Sequence, residues 1–162
     1  MEMVEISVIC VGKNKERFYQ EAASEYLKRL SSSCRISVTE IQETKLSAEP
    51  SEKEIEKGLA EEAERISRLL RKDQYIISLC IEGKRFSSSA FADELNRAFV
   101  SGRSKFAFII GGSFGLSEEI KKRSDLRLSM SDMTLPHHLA RVVLLEQIYR
   151  AFMIIEGTKY NK

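Results

Sequence analysis

Residues 109–116 read IIGGSFGL and join an apolar run to a glycine-rich bend, which is followed by Ser117, Glu118 and Glu119. The run at residues 106–110 is typical of a buried strand, and a serine followed by glutamates is typical of a helix start. In an open α/β sheet, ligands bind where such loops leave the carboxyl ends of the strands. The stretch therefore predicts a strand, a ligand-binding loop and a helix within an α/β fold.

A second loop, residues 130–137 (MSDMTLPH), lies between an alternating apolar segment and a long helical segment. Leu126, Leu128 and Met130 alternate as in a strand, and the proline and histidine that end the loop fit the entry of a helix. We expect this loop and the glycine bend to form one ligand site. The simpler alternatives are an ordinary strand-to-helix connection here and a plain tight turn at residues 111–115.

The remaining segments alternate between strands and helices. Strands are predicted at residues 3–11, 35–41, 75–81, 106–110 and 126–130, and helices at 16–30, 51–72, 87–100, 117–123 and 137–155. Residues 42–50 and 82–85 are predicted to be loops. This alternation predicts a single α/β domain over residues 1–162, with a mostly parallel sheet of about five strands and helices on both faces.

The helix predicted at residues 137–155 carries apolar residues around much of its circumference. These are Leu139, Val142, Val143, Leu144, Leu145, Ile148, Phe152, Ile154 and Ile155. A helix of this kind must be buried on more than one side. In a chain this short, a partner subunit is the expected second side, which predicts a homodimer.

Composition excludes several classes of protein. The chain has 162 residues, of which 43% are hydrophobic and 31% charged, and its formal net charge of +2 argues against a strongly basic coat. Cys10, Cys34 and Cys80 are far apart and show neither a disulfide framework nor zinc-site spacing. Glu2 and Glu5 interrupt the amino terminus, and no apolar stretch approaches the length of a membrane span. We expect a cytoplasmic protein without membrane association or a metal.

Few residue patterns carry chemistry of their own. His137 lies beside the second loop and could act as a base or a hydrogen-bond donor, whereas His138 is expected to be structural. Arg141 and Arg150 could grip an RNA backbone beside a ligand loop. No Ser-His-Asp order, paired carboxylates or nucleophilic cysteine is recognisable. The sequence thus favours a loop-built binding site in which a bound cofactor supplies the chemistry.

Three groups of residues together resemble one enzyme family. They are the glycine bend at 109–116, the segment 128–137 (LSMSDMTLPH), and Arg141-Val142 with 146–152 (EQIYRAF). They resemble the small, stand-alone SPOUT methyltransferases that methylate N3 of a pseudouridine in large-subunit (23S) ribosomal RNA. The similarity also includes VGK at 11–13, IEGK at 81–84 and the tail at 157–162, so it covers the whole chain.

The resemblance implies a fold, a cofactor and a set of site residues. The carboxyl-terminal part would form an α/β knot (a trefoil), the last helix would pack a homodimer, and S-adenosyl-L-methionine would bind in the knot. The residues expected to bind it are Leu79, Gly111, Gly112, Gly115, Met130, Ser131, Asp132, Met133, Thr134 and Leu135. His137 and Arg141 would act in catalysis, and Arg150, Tyr160 and Lys162 would contact the RNA substrate.

One residue departs from the family pattern. Family tails usually carry Tyr-His, whereas here Asn161 follows Tyr160, and an asparagine can hydrogen-bond but cannot act as a base. We therefore expect water or His137 to accept the imide proton of the target base, which would lie in a loop or be flipped out. The modest net charge favours recognition of an assembled ribosome by its shape.

Two other readings of the sequence remain. The chain could be a catalytically inactive, RNA-binding ribosome assembly factor of the same fold, or a nucleotide-binding protein that acts on small metabolites.

Overall fold

The computed structural model describes residues 2–161, in which strands and helices alternate along the chain. The strands are β1 (Glu5–Val11), β2 (Arg35–Ile41), β3 (Tyr75–Arg85), β4 (Lys105–Ile110) and β5 (Leu126–Ser129). The helices are α1 (Arg17–Leu30), α2 (Glu52–Leu69), α3 (Ser88–Val100), α4 (Glu118–Arg123) and α5 (His137–Ile155). The predicted α/β class and the predicted order of elements are confirmed.

The five strands form one parallel sheet in the order β2-β1-β4-β3-β5. In its register, Val8 of β1 pairs with Val38 of β2 on one side and with Phe108 of β4 on the other. All carboxyl ends of a parallel sheet meet at one edge. The glycine bend after β4 and the loop after β5 therefore leave the sheet at the same edge, where ligands bind in such folds.

Alternating side chains of the central strands supply two separate cores. Cys10 and Phe108 belong to the core that α1, α3 and α5 cover, whereas Ile9 and Ile109 belong to the core that α2 and α4 cover. Both faces of the sheet are thus buried, which explains the nearly continuous apolar runs in β1 and β4.

Serines begin three of the helices. The side chains of Ser51, Ser87 and Ser117 each accept a hydrogen bond from the backbone N–H three residues further on, as helix N-caps do. The prediction that the second helix continues to Lys72 is wrong. It ends at Leu69, because the backbone of Leu70 is extended, with ψ of 140°.

The third strand is longer than predicted. Residues 82–85 were expected to form a loop, but β3 continues to Arg85 after a register shift between Leu79 and Lys84. Beyond the shift, Lys84 pairs with Leu128 and Arg85 with Ser129 of β5. An irregularity of this kind changes the direction of side chains locally, and here it lies at the ligand edge of the sheet.

The apolar circumference of α5 is only partly covered within one chain. The helix packs against α1 and α3 and buries Ala140, Leu144, Leu145, Ile148, Ala151 and Phe152. Val142, Met153, Ile154 and Ile155 are half-buried. No helix within residues 2–161 combines the length and the apolar character needed to cross a lipid bilayer.

Candidate functional site

The glycine bend folds back on itself immediately after β4. The Gly115 N–H donates to the Gly112 carbonyl over 3.1 Å, and Ser113 and Phe114 form the tip of the turn between them. A β-carbon on Gly111 would lie 2.4 Å from the Gly115 carbonyl oxygen, well inside contact distance. Only glycine at position 111 allows the two backbone segments to approach this closely.

The loop that follows β5 is ordered by its own serines and by one ion pair. Ser131 Oγ accepts from the Met133 N–H over 3.0 Å, and Ser129 Oγ donates to the Ser131 carbonyl over 3.3 Å. The Asp132 carboxylate pairs with Arg85 at the end of β3. These contacts fix the backbone of residues 130–133 beside β3.

Both loops border one cleft of about 750 Å³, a volume typical of small-molecule sites. Of the ten residues predicted to bind the cofactor, nine line this cleft: Leu79, Gly111, Gly112, Gly115, Met130, Ser131, Met133, Thr134 and Leu135. The tenth, Asp132, lies beside the cleft and directs its carboxylate to Arg85. The structure therefore brings together the two loops that the sequence pattern paired.

The cleft also contains an ion pair that was not predicted. Lys121 Nζ lies 2.5 Å from Glu82 Oε1, and both residues line the cleft. Burial opposes the charge on Lys121, but the hydrogen bond to Glu82 and the negative charges of Glu82 and Glu118 together outweigh it, so the pKa of Lys121 is raised. The same bond lowers the pKa of Glu82. Sequence reasoning missed the pair because residues 82–85 read as a loop, with no sign that they approach α4.

His137 borders two cavities at the start of α5. It lines the cleft and also a second cavity of about 1040 Å³, which lies between the β2–α2 loop and α2. Ser113 and Phe114 are shared by the two cavities as well. Sequence analysis did not predict the second cavity.

His138 lies next to His137, with 4.2 Å between the two ring centroids, and it lines the second cavity but not the cleft. Its ring lies 6.4 Å from that of Tyr19, and its Nδ1 is buried without a hydrogen-bond partner among residues 2–161. Burial, with the positive charge of Arg141 contributing, lowers the pKa of His138 and keeps the ring neutral. This environment suits the structural role expected for His138.

Arg141 is buried, and its guanidinium donates hydrogen bonds to Glu40 of β2 and to Gly12, which follows β1. It is 4% exposed, its Nη1 donates to Glu40 Oε2 over 2.5 Å, and its Nη2 donates to the Gly12 carbonyl over 2.6 Å. Burial by itself would raise the pKa of Glu40, but the hydrogen bonds from Arg141 and from the Asn14 N–H, together with the positive charge of Arg141, outweigh it, so the pKa of Glu40 is lowered. The guanidinium joins the ends of β1 and β2 to α5. Its role in catalysis stays a prediction, and this placement favours positioning of the neighbouring His137.

Arg150 and Tyr160 lie at the far end of α5. Arg150 donates to Glu146 through Nη2 (2.5 Å) and Nε (2.8 Å), and it lies 4.8 Å over the Tyr160 ring. Asn161 Oδ1 accepts from Arg150 Nη1 over 3.1 Å. The helix rises about 20 Å between His137 and Arg150. One chain therefore does not bring these predicted RNA-binding residues to the cleft, and Lys162 lies outside the described residues.

Within residues 2–161 there is no cluster of three or more His, Cys, Asp or Glu side chains suited to a metal ion. Burial raises the pKa of Cys10 to about 11 and that of Cys34 to about 12, so both thiols are protonated at neutral pH.

An all-parallel α/β sheet with a ligand cleft built from two late loops defines the general class of the protein. A family model described as "Predicted SPOUT methyltransferase" matches residues 4–161, and the chain belongs to this family of SPOUT methyltransferases.

Individual relatives agree with the family assignment. A protein from Leuconostoc mesenteroides named ribosomal RNA large subunit methyltransferase H is 46% identical over 157 residues, which cover 97% of this chain and 99% of the relative. A protein of the same name from Carboxydothermus hydrogenoformans is 45% identical over 159 residues, covering 98% and 100%. Two solved structures share the fold. A methylase family protein from Haemophilus influenzae matches with a TM-score of 0.52 and 16% identity, covering 98% of this chain and 70% of that one. A methylase family protein from Neisseria gonorrhoeae matches with a TM-score of 0.53 and 17% identity, covering 90% of this chain and 82% of that one.

Proposed function

We propose that the protein is an S-adenosyl-L-methionine-dependent methyltransferase that methylates N3 of a pseudouridine in large-subunit (23S) ribosomal RNA. The names of the relatives support ribosomal RNA as the substrate. The motifs at residues 109–116 and 128–137 support the finer choice of pseudouridine N3. The observation that carries the proposal is the single cleft bordered by both loops.

The residues of the cleft suit S-adenosyl-L-methionine. Leu79, Leu116 and Leu135 offer apolar walls for an adenine, and the backbone of residues 130–135 runs alongside for hydrogen bonding. The compact turn at Gly111 lets peptide groups approach a flat ligand closely. When bound, this cofactor supplies an electrophilic methyl group on a sulfonium.

The chain itself must place the target base and accept a proton. Pseudouridine N3 has to lie in line with the methyl group at near-attack distance, and the imide N–H has to be lost. His137 lines both cavities, so it could contact a pseudouridine base that lies between them. Phe114 and Met133 are 49% and 79% exposed and line the cleft, so they can contact a flipped-out base.

We also infer a homodimer packed through α5, together with the knot and the cytoplasmic location that the resemblance implies. The half-buried apolar residues of α5 support a partner subunit. In a two-fold, antiparallel pairing of α5, the end of one helix lies beside the start of the other. Arg150 and Tyr160 of one protomer would then approach the cleft of its partner, which they cannot reach within their own chain.

The proposal is tested on ribosomes from a strain that lacks the protein. With tritium-methyl S-adenosyl-L-methionine, the purified protein should label the large-subunit RNA of intact ribosomes, and mass spectrometry should locate the methyl group on a pseudouridine. Naked RNA should be labelled poorly, because a net charge of +2 gives little bulk attraction to phosphates. Equal rates on both substrates would contradict the preference for ribosomes. Cofactor binding without any labelling would identify an inactive assembly factor instead.

A further inference from the structure

The second cavity has the position and the walls of a site for the target base. It adjoins the cofactor cleft and shares His137, Ser113 and Phe114 with it, so a group held here can reach the cleft. The exposed ring of Phe114 offers a stacking surface for an unstacked base. Lys13 and Lys45 are exposed on its border, where they can contact phosphates of the RNA chain.

One carboxylate stands where the two cavities meet. Glu43 Oε1 accepts a hydrogen bond from the Ser113 N–H over 3.2 Å, which ties the β2–α2 loop to the tip of the glycine bend. Within residues 2–161 the hydrogen bond to the Glu43 carboxylate is made at Oε1, and Oε2 is left for another partner. A β-carbon on Gly12 would lie 3.3 Å from Glu43 Oε2 and 3.9 Å from His137 Nε2, so both side chains converge on this glycine. One oxygen is therefore fixed and the other is available.

We propose that the second cavity receives the pseudouridine base and that the Glu43 carboxylate accepts the proton from its N3. This inference rests on the proposed function. It names a proton acceptor, whereas the sequence alone left the choice open between water and His137. His137 then contacts the base without taking its proton.

The step balances in atoms and electrons. The N3–carbon bond forms as the sulfur–carbon bond breaks, and the electron pair of the broken bond stays on sulfur as a neutral thioether. The N3–H proton passes to Glu43 Oε2, so the methylated base leaves uncharged. A general base of this kind typically contributes about 10²- to 10⁴-fold to the rate.

Glu43→Gln separates proton transfer from loop structure. The amide oxygen of glutamine can still accept from the Ser113 N–H, but the side chain cannot act as a base. Glu49→Gln is the matched control, because Glu49 is exposed in the same loop and does not line either cavity. The readouts are single-turnover methyl transfer on unmodified ribosomes between pH 7 and pH 10, the Kd of S-adenosyl-L-homocysteine by calorimetry, and Tm.

At pH 7 we expect Glu43→Gln to slow methyl transfer about 100-fold or more, with Kd and Tm close to those of the wild type and of Glu49→Gln. The deficit should shrink as the pH rises, because the imide then ionises without help from the protein. A deficit that stays constant with pH, a rate within threefold of wild type, or a lost affinity for the cofactor product would each overturn the assignment of Glu43. A wild-type protein that labels no RNA would instead reject the proposed function itself.

Discussion

At the scale of single residues, Arg141 shows how burial changes the meaning of a residue type. From sequence, an arginine beside a ligand loop predicts a contact to phosphate. In the structure its guanidinium is 4% exposed and is held by Glu40 and the Gly12 carbonyl. Because the guanidinium of Arg141 is removed from water while its partner Glu40 stays partly exposed, the loss of Glu40 would leave a buried positive charge poorly compensated.

Glu40→Gln should therefore destabilise the protein in a pH-dependent manner. The pKa of Glu40 is lowered in the folded state, so its carboxylate contributes stability above the pKa of an unfolded glutamate, and this contribution is lost as the pH falls through the lower folded value. At pH 7 we expect a loss of about 1 kcal/mol, discounted because the Glu40 side chain is 36% exposed.

Urea unfolding at pH 7 and at a series of lower pH values measures this effect. The difference from wild type should shrink as the pH falls through the lowered folded pKa of Glu40, because the wild-type carboxyl then becomes protonated as well. Glu64→Gln, which removes an exposed partner of Arg68, is the control and should cost less than about 0.5 kcal/mol. A Glu40→Gln protein as stable as wild type at pH 7 would show that the pair is not needed for stability.

At the scale of elements, the pairing of β3 and β5 sets one wall of the cleft. Residues 80–83 lie within the register shift, and a β-carbon on Gly83 would lie 2.8 Å from the carbonyl carbon and oxygen of Arg127. Gly83 therefore lets the two strands approach where β5 leads into the loop at residues 130–136. Backbone atoms cannot move aside as a flexible side chain does.

Gly83→Ala should separate β5 from β3 and displace the loop that follows it. We expect a loss of stability of about 1–3 kcal/mol and at least about tenfold weaker binding of S-adenosyl-L-homocysteine, measured by denaturation and calorimetry. Gly102→Ala is the control. Its φ of +97° makes alanine costly there too, but nothing lies within 4 Å and the residue does not line the cleft. An unchanged affinity of Gly83→Ala for S-adenosyl-L-homocysteine would contradict the claim that the close approach of β3 and β5 shapes the cleft.

Sequence patterns predicted the elements well where periodicity was strong and poorly where it was not. β1, β4 and α5 carry long apolar runs, so their class and approximate bounds followed directly. The continuation of β3 through the polar residues 82–85 was missed, because strand pairing there comes from β5 and not from local hydrophobicity. The loop at residues 42–50 has no periodicity, so neither Glu43 nor the second cavity was predicted.

At the scale of the whole molecule, two observations favour a second subunit. The apolar surface of α5 is incompletely covered within one chain, and Arg150 lies far from the cleft. The half-buried apolar side chains of α5 favour a second subunit, and the predicted RNA-binding residues lie about 20 Å from His137 along the helix. No pattern in one chain could specify how two copies pair, since that geometry depends on surfaces formed only after folding.

We predict that the protein is a dimer in solution. Sedimentation equilibrium at micromolar concentration should give twice the monomer mass of 18.5 kDa. A monomer under these conditions would contradict the pairing of α5, and the far end of that helix would then need another route to the substrate.

The central claim is that the glycine bend after β4 and the loop after β5 hold the methyl donor between them. A crystal structure of the protein with S-adenosyl-L-methionine tests this most directly. We predict density for the cofactor in the cleft between residues 111–115 and 130–135, with its methyl group facing the cavity that contains Glu43. Cofactor bound elsewhere on the chain, or loops that do not contact it, would contradict the account.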